Sequence, residues 1–189
     1  MKHLFFFGLI KIVISQDVAY ERFQKYIKSP KGCILIIELK QSYFDKSLVS
    51  SGIFYKKGET YIYDSPEQYI KYENQNITTI NKLNKQVIID SMKKNNATIF
   101  DILSGNKQNI FFHPFIDKKK QISIPFEIEL WAIEGSIWTD KNDGSPKKIS
   151  FTQDEHIKID IDIVSSKNDS LFNFPTYDVM DYEVINLIE

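Results

Sequence analysis

Over most of its length the chain alternates apolar and polar side chains with a period of two, the spacing of a strand that buries one face. In HIKIDIDIV, Ile157, Ile159, Ile161 and Ile163 fall on one side and Lys158, Asp160 and Asp162 on the other. In CILIIELKQSYF, Cys33, Leu35, Ile37 and Leu39 share a face, while Ile34 and Ile36 take the opposite face ahead of Glu38 and Lys40. The start of that strand is therefore expected to be buried on both sides and its end on one. Shorter runs over 50–57, 60–65, 68–73, 77–81 and 86–90, separated by polar turns, predict a meander. Strands return over 110–115, 121–131, 136–140, 147–152 and 156–164, and Asn142-Asp143-Gly144 marks a turn between two of them.

Two stretches follow a helical period instead. Asp17 is placed to cap a helix running to Ile27, with Ala19, Phe23 and Ile27 on one face, and Pro30 closes the segment. Asn96 is placed to cap a second helix, in which Ile99, Ile102 and Leu103 stand at i, i+3 and i+4 before a left-handed stop at Gly105. Both helices need an apolar surface to cover, and too many strands carry an apolar inward face for a flat, one-sided sheet. The expected architecture is mainly β, an open sheet capped by helices around an aromatic and aliphatic hollow. With no internal repeat and no long linker, 16–189 reads as a single domain.

The first fifteen residues break the pattern. Met1-Lys2-His3 is a short basic start, and 4–15 is apolar except for Lys11. The run is too short to span a bilayer and resembles the apolar region of a signal peptide, so 1–15 is expected to direct export. A buried first strand or an uncleaved anchor is the other reading of the same residues. Cys33 is the one cysteine, compatible with an oxidising compartment because a lone thiol closes no internal bridge.

Composition sharpens the picture in one respect. The 189-residue chain is 42% hydrophobic and 26% charged, with a formal net charge of -1, and shows no general footprint for nucleic acid. Its departure from average is 14 Phe and 10 Tyr against 7 Gly. Such a chain packs an aromatic core or lines a cavity.

Candidate chemistry is sparse. His3, His113 and His156 stand apart, none near another ligand at metal spacing. Glu127 and Glu129 alternate with Phe126, Ile128 and Leu130, as the solvent side of a strand does. Ser150 and His156 are the nearest approach to a nucleophile and base, without a nucleophile-elbow motif. Asp117-Lys118-Lys119-Lys120 is a charged loop tip that suits an anionic lipid or an acidic partner. The stretch GIFYKKGETYIY is the most suggestive: two alternating strands meet at a basic pair and a glycine, with Ile53, Tyr55 and Lys57 before the turn and Tyr61 and Tyr63 after it.

In their order these parts resemble the LolA family of periplasmic lipoprotein carriers. A short helix leads into a strand ending Leu39-Lys40-Gln41, where the family often has Phe-x-Gln. SGIFYKKGETYIYDSPEQ stands where the family has a glycine-led strand, a basic Arg-Pro turn, two aromatics and a later proline. Lys57 takes the place of the arginine, Gly58 that of the proline, and Tyr61, Tyr63 and Pro66 match the rest. ATIFDILSG resembles the family's lid helix, ELWAIEGSIWTDKNDGSPKKISF its late strands, and LFNFPTYDVMDYEVI its closing Phe-x-Phe-Pro segment. Asn74-Gln75-Asn76 departs from an Asp-Gly turn frequent in the family.

The resemblance implies a strongly curved antiparallel half-barrel, with a helical lid over a hydrophobic cavity for acyl chains. It implies a monomeric periplasmic carrier, not an enzyme, with no cofactor and no nucleic acid. Its partners would be lipoproteins, an inner-membrane lipoprotein-releasing ABC transporter and an outer-membrane lipoprotein acceptor. The acyl-chain site would comprise Leu35, Ile37, Leu39, Ile53, Tyr55, Lys57, Tyr61, Tyr63, Ile99, Ile102 and Leu103, with the Lys57 ammonium on Tyr61 or on lid and ester carbonyls as a clasp. Each methylene taken from water is worth about 0.8 kcal/mol, so three chains of about fifteen methylenes would cost on the order of 35 kcal/mol to expose. A binding protein for another apolar ligand, a secreted hydrolase and a β-sandwich with a filled core are the alternatives.

Overall fold

In the computed structural model the described residues are 18–44, 46–91, 99–105, 110–153, 156–168 and 171–188. The signal-peptide stretch 1–15 and the Asn96 cap lie outside them. Helix α1 spans 18–27 and α2 is Ile99–Leu103. The strands are β1 (Cys33–Tyr43), β2 (Lys46–Lys57), β3 (Thr60–Asp64), β4 (Gln68–Glu73), β5 (Asn76–Asn81), β6 (Gln86–Ser91) and β7 (Phe111–Phe112). They continue as β8 (Ile116–Lys118), β9 (Gln121–Ile128), β10 (Ile133–Asp140), β11 (Pro146–Gln153), β12 (Ile157–Lys167) and β13 (Glu183–Asn186).

All belong to one open sheet in the order β13-β6-β5-β4-β3-β2-β1-β12-β11-β10-β9-β7, with β8 also on β9. Every pairing is antiparallel except β13 on β6, which is parallel. The meander β1 to β6 and the meander β9 to β12 therefore join where β12 returns to β1.

The sheet curls. Leu35, Phe54, Tyr63, Ile124, Ile137, Ile149 and Ile161 fall in one core cluster with Phe23 and Ile27 of α1 and Ile102 and Leu103 of α2. From β3 to β9 there are six inter-strand steps, or roughly 29 Å if the sheet were flat at about 4.8 Å per step. A pair of short helices about 10 Å across reaches both ends only if the sheet wraps around them. Two glycines admit rings on this concave face. A Cβ on Gly52 would stand 2.5 Å from Tyr63 Cε2, and one on Gly135 would stand 2.7 Å from Phe126 Cζ. Each ring lies across a backbone where any side chain would displace it.

The convex face is covered on one half only. Ile62, Tyr69, Ile80 and Val87 form a second cluster, sealed by Tyr55 and by Phe174, Val179 and Tyr182 of the closing segment. That segment crosses the back of β3 to β6 and ends as β13. Tyr177 pins it there: its hydroxyl donates to Asp64 at 2.8 Å from Oδ1, and Lys82 Nζ donates to the same oxygen at 2.6 Å.

Several boundaries differ from the sequence reading. The strand expected over 121–131 stops at Ile128, and Glu129–Trp131 turn as a 3-10 helix that ends on Ala132 in the left-handed region. The β2 strand begins at Lys46 and not at 50. The strand expected over 110–115 narrows to Phe111–Phe112, because His113-Pro114-Phe115 breaks the ladder before β8. Strands β8 and β13 had no expected counterpart. Ile34 is half-buried and Ile36 is 44% exposed, so the opening of β1 is not buried on both sides.

Candidate functional site

The concave face is built in rows by strand register. Cys33, Lys56 and Tyr61 lie side by side, and Tyr61 pairs in turn with Tyr72. The next row is Leu35, Phe54, Tyr63 and Ile70. Leu35 and Phe54 are fully buried, as Leu103 is. Ile37, Tyr61, Tyr63 and Ile102 are buried with them, and Leu39 packs against the cluster from a half-buried position. Ile99 belongs to α2, and its side chain lies outside the described set.

Three residues of the expected site are on the other face. Alternation along β2 sends Phe54 and Lys56 inward, so Ile53, Tyr55 and Lys57 point to the convex side. Tyr55 meets the Phe172 ring at 5.6 Å and packs in the second cluster. The Lys57 ammonium stands over Phe172 at 5.8 Å, in place of the expected contact with Tyr61. The inward cation is Lys56, only 4% exposed, whose Nζ donates to the Gly58 carbonyl. Burial lowers its pKa, with Glu59 pulling it up and Lys28 pushing it down further. Alternation puts Lys56 on the face of Phe54, and pairing with Leu35 and Tyr63 makes that face the inward one.

Sequence reading also passed over Phe100. Its ring is parallel to Phe54 within 6° at 6.2 Å, and it meets Tyr63 at 5.2 Å and Tyr61 at 6.1 Å. Thus α2 places one phenyl ring on three aromatic rings of the sheet. The Gln24 amide of α1 donates to the Gly105 carbonyl at 2.7 Å and ties the end of α2 to α1. Gly105 supplies the left-handed stop read from the sequence, at φ 72°. The helices α1 and α2 thus pack on the inward side chains of the sheet in one cluster.

One polar atom stands out. The Tyr63 hydroxyl is buried and, among the described residues, has no hydrogen-bond partner. A buried hydroxyl without a partner costs on the order of 1–3 kcal/mol.

Among the described residues no group of three His, Cys, Asp or Glu is placed to hold a metal ion. Ser150 lies opposite Asp160, four residues along β12 from His156, a separation of roughly 13 Å at the strand rise of about 3.3 Å. His156 stacks on Phe44 instead, at 4.4 Å. Asp117 is paired with Lys141 at 2.5 Å, which ties the charged tip to the β10–β11 turn. Among the described residues no helix is long and apolar enough to cross a membrane.

No family model matches the sequence. No curated protein matches it either. Solved structures do. An uncharacterized conserved protein from Thermus thermophilus is 10% identical with a TM-score of 0.59, over 91% of this chain and 99% of that one. A DUF1329 family protein from Desulfovibrio piger is 11% identical with a TM-score of 0.51, over 86% of this chain and 95% of that one. A LolA superfamily protein from Nitrosomonas europaea is 10% identical with a TM-score of 0.45, over 84% and 94%. The first two establish a shared fold across nearly the whole of each chain. The likeness to those two structures is one of fold, and the resemblance to the LolA family rests on the sequence motifs.

Proposed function

We propose that this protein is a periplasmic carrier that shields the acyl chains of lipoproteins on its concave face and passes them on. The observation that carries the reading is the seat of Phe100. A short helix presses one ring onto Phe54, Tyr61 and Tyr63, and the face beneath offers acyl chains the same apolar contact. Opening with cargo bound then exchanges ring-to-ring contact for ring-to-chain contact and is close to neutral. A carrier needs that balance, since a rigid pocket would hold its cargo against the acceptor.

In this reading Leu35, Ile37, Leu39, Tyr61, Ile102 and Leu103 line the space, and Tyr63 donates to a carbonyl of the lipid. Lys56, on the inward side of the β2–β3 turn, takes the part that sequence alone gave to Lys57. Ile53, Tyr55 and Lys57 act on the convex face, holding the closing segment. An inner-membrane ABC transporter would load the carrier and an outer-membrane acceptor would unload it, with 1–15 as the export signal. The carrier works as a monomer and makes or breaks no bond.

A second reading has its own support. The described inward side chains meet one another, as they would in an interaction module with a filled core. Native mass spectrometry of protein recovered from its native compartment separates the two. Adducts with the masses of acylated species support the carrier, and a bare chain that also takes up no triacylated lipopeptide supports the module.

A further inference from the structure

We infer that the β1–β2 hairpin tip is a docking element for an anionic lipid surface. Four large apolar side chains are exposed within seven positions there: Tyr43 at 51%, Phe44 at 61%, Leu48 at 69% and Val49 at 54%. A run of that kind at a hairpin end is exceptional on a surface in water and suits a partner that is itself apolar.

The tip is open on its β2 side only, since β12 runs beside β1 as far as Tyr43. On one side β3 pairs with β2 only from Ile53 onward, so 46–52 extends past its neighbour by seven residues, roughly 23 Å at about 3.3 Å per residue. The aromatic end is built rather than loose. Phe44 is held at φ 48°, a left-handed conformation costly for a bulky residue. Its backbone N–H donates to His156 O at 3.3 Å, its ring stacks on His156, and Tyr43 meets it edge-on at 4.6 Å.

Charge selects the kind of partner. Lys40 and Lys46 are exposed on the hairpin, and Lys158 stands beside Ser42 on β12. Lys158 also reaches Asp160 at 3.1 Å, exposed Glu38 lies further along β1, and Asp45 stands between Phe44 and Lys46 in the sequence. Aromatic and leucine side chains rimmed by lysines match the headgroup zone of an anionic bilayer, where rings sit at the interface and ammonium groups meet phosphate. On the concave side the β12 row Ile161, Ile159 and Ile157 grades from buried to half-buried toward this tip, an apolar path between a membrane and the site proposed above.

Co-sedimentation of the full chain with phosphatidylcholine vesicles, alone or with one quarter phosphatidylglycerol, tests this. The expected result is binding to the mixed vesicles that falls at least tenfold in the Phe44→Ser/Leu48→Ser double variant. Lys40→Gln/Lys46→Gln should weaken binding to mixed vesicles selectively. All these positions are exposed, so the thermal midpoint should stay within a few degrees. Equal binding by wild type and Phe44→Ser/Leu48→Ser overturns the inference, and so does a wild-type dimer in sedimentation that the same variant dissolves, which would make the tip an interface between copies. Lipopeptide uptake by the Phe44→Ser/Leu48→Ser variant should be unchanged, so failure of the docking element and failure of the carrier reading are told apart.

Discussion

The Tyr63 ring lies across Gly52, so closely that a single Cβ there would stand 2.5 Å from Tyr63 Cε2 and 2.7 Å from the Asp64 carbonyl. This contact fixes where the inner aromatic row sits, because Tyr63 in turn carries Phe100 of α2. Gly52→Val should destabilise the fold by about 1–3 kcal/mol, the usual cost of overpacking. It should also displace Phe100 and raise hydrogen exchange in 99–105. Urea unfolding with mass-resolved exchange checks both. Unchanged exchange in α2 would show that the Tyr63 contact does not position that helix.

The two lysines before the turn should differ sharply in effect. Lys57→Ala should leave acyl-chain uptake within about twofold, since Lys57 stands on the convex face over Phe172, and should instead loosen the closing segment, read as faster proteolysis within 171–188. Lys56 is buried and its pKa is depressed, first by burial. A lysine with a lowered folded pKa costs stability while charged. That cost is relieved as pH rises from the folded value toward the unfolded value of about 10.4. Stability of the wild type relative to Lys56→Met should therefore rise with pH on the approach to that unfolded value in denaturant titrations.

Cys33 is fully buried in β1, and burial pushes its thiol up to about 12. The thiolate is the reactive form. Folded protein at pH 8 should react with a disulfide reagent only as fast as it opens, and at once in denaturant. Immediate reaction of the native protein would contradict the packing of α1 on β1.

Asp160 sits between Lys148 at 2.9 Å and Lys158 at 3.1 Å. Burial pushes its pKa up, but the Ser150 hydroxyl and the two ammonium groups outweigh it and hold the carboxyl at about 2. The depressed pKa contributes stability at neutral pH that is lost as pH falls from about 4 through about 2. Asp160→Asn should cost about 2 kcal/mol at pH 7, with the difference from wild type closing over that acid range. Thermal unfolding from pH 6 to 2 reads it.

Much of this was legible in the sequence. The period of two in β1 put Cys33, Leu35, Ile37 and Leu39 on one face, and that face is the concave one. The helical period of α1 put Ala19, Phe23 and Ile27 together, and all three are buried. What alternation leaves open is which face of a two-sided strand is inward. In β2 both sets carry aromatics, and only pairing with Leu35 and Tyr63 sends Phe54 and Lys56 inside. In β12 the register against β1 shifts between Ile36 and Ile37, opposite Val164, which is 67% exposed on the same face as Asp162. Phe100 escaped notice because helical spacing grouped Ile99, Ile102 and Leu103, whereas a helix of five residues in a curled sheet is contacted on more than one side. The strap beyond 170 carries no regular period, and its place follows from long-range contacts such as Tyr177 with Asp64.

The most direct test of the carrier reading uses Trp131, which packs against the concave core. Trp138 lies on the opposite side of β10 from the buried Ile137, so Trp138→Phe leaves Trp131 as the only tryptophan. Triacylated lipopeptide with brominated chains should quench Trp131 saturably near one per protein, while the unbrominated lipopeptide competes and the bare peptide does nothing. Absence of saturable quenching, with the lipopeptide kept below its aggregation threshold, would show that the rings under Phe100 are a closed core and not a place for acyl chains.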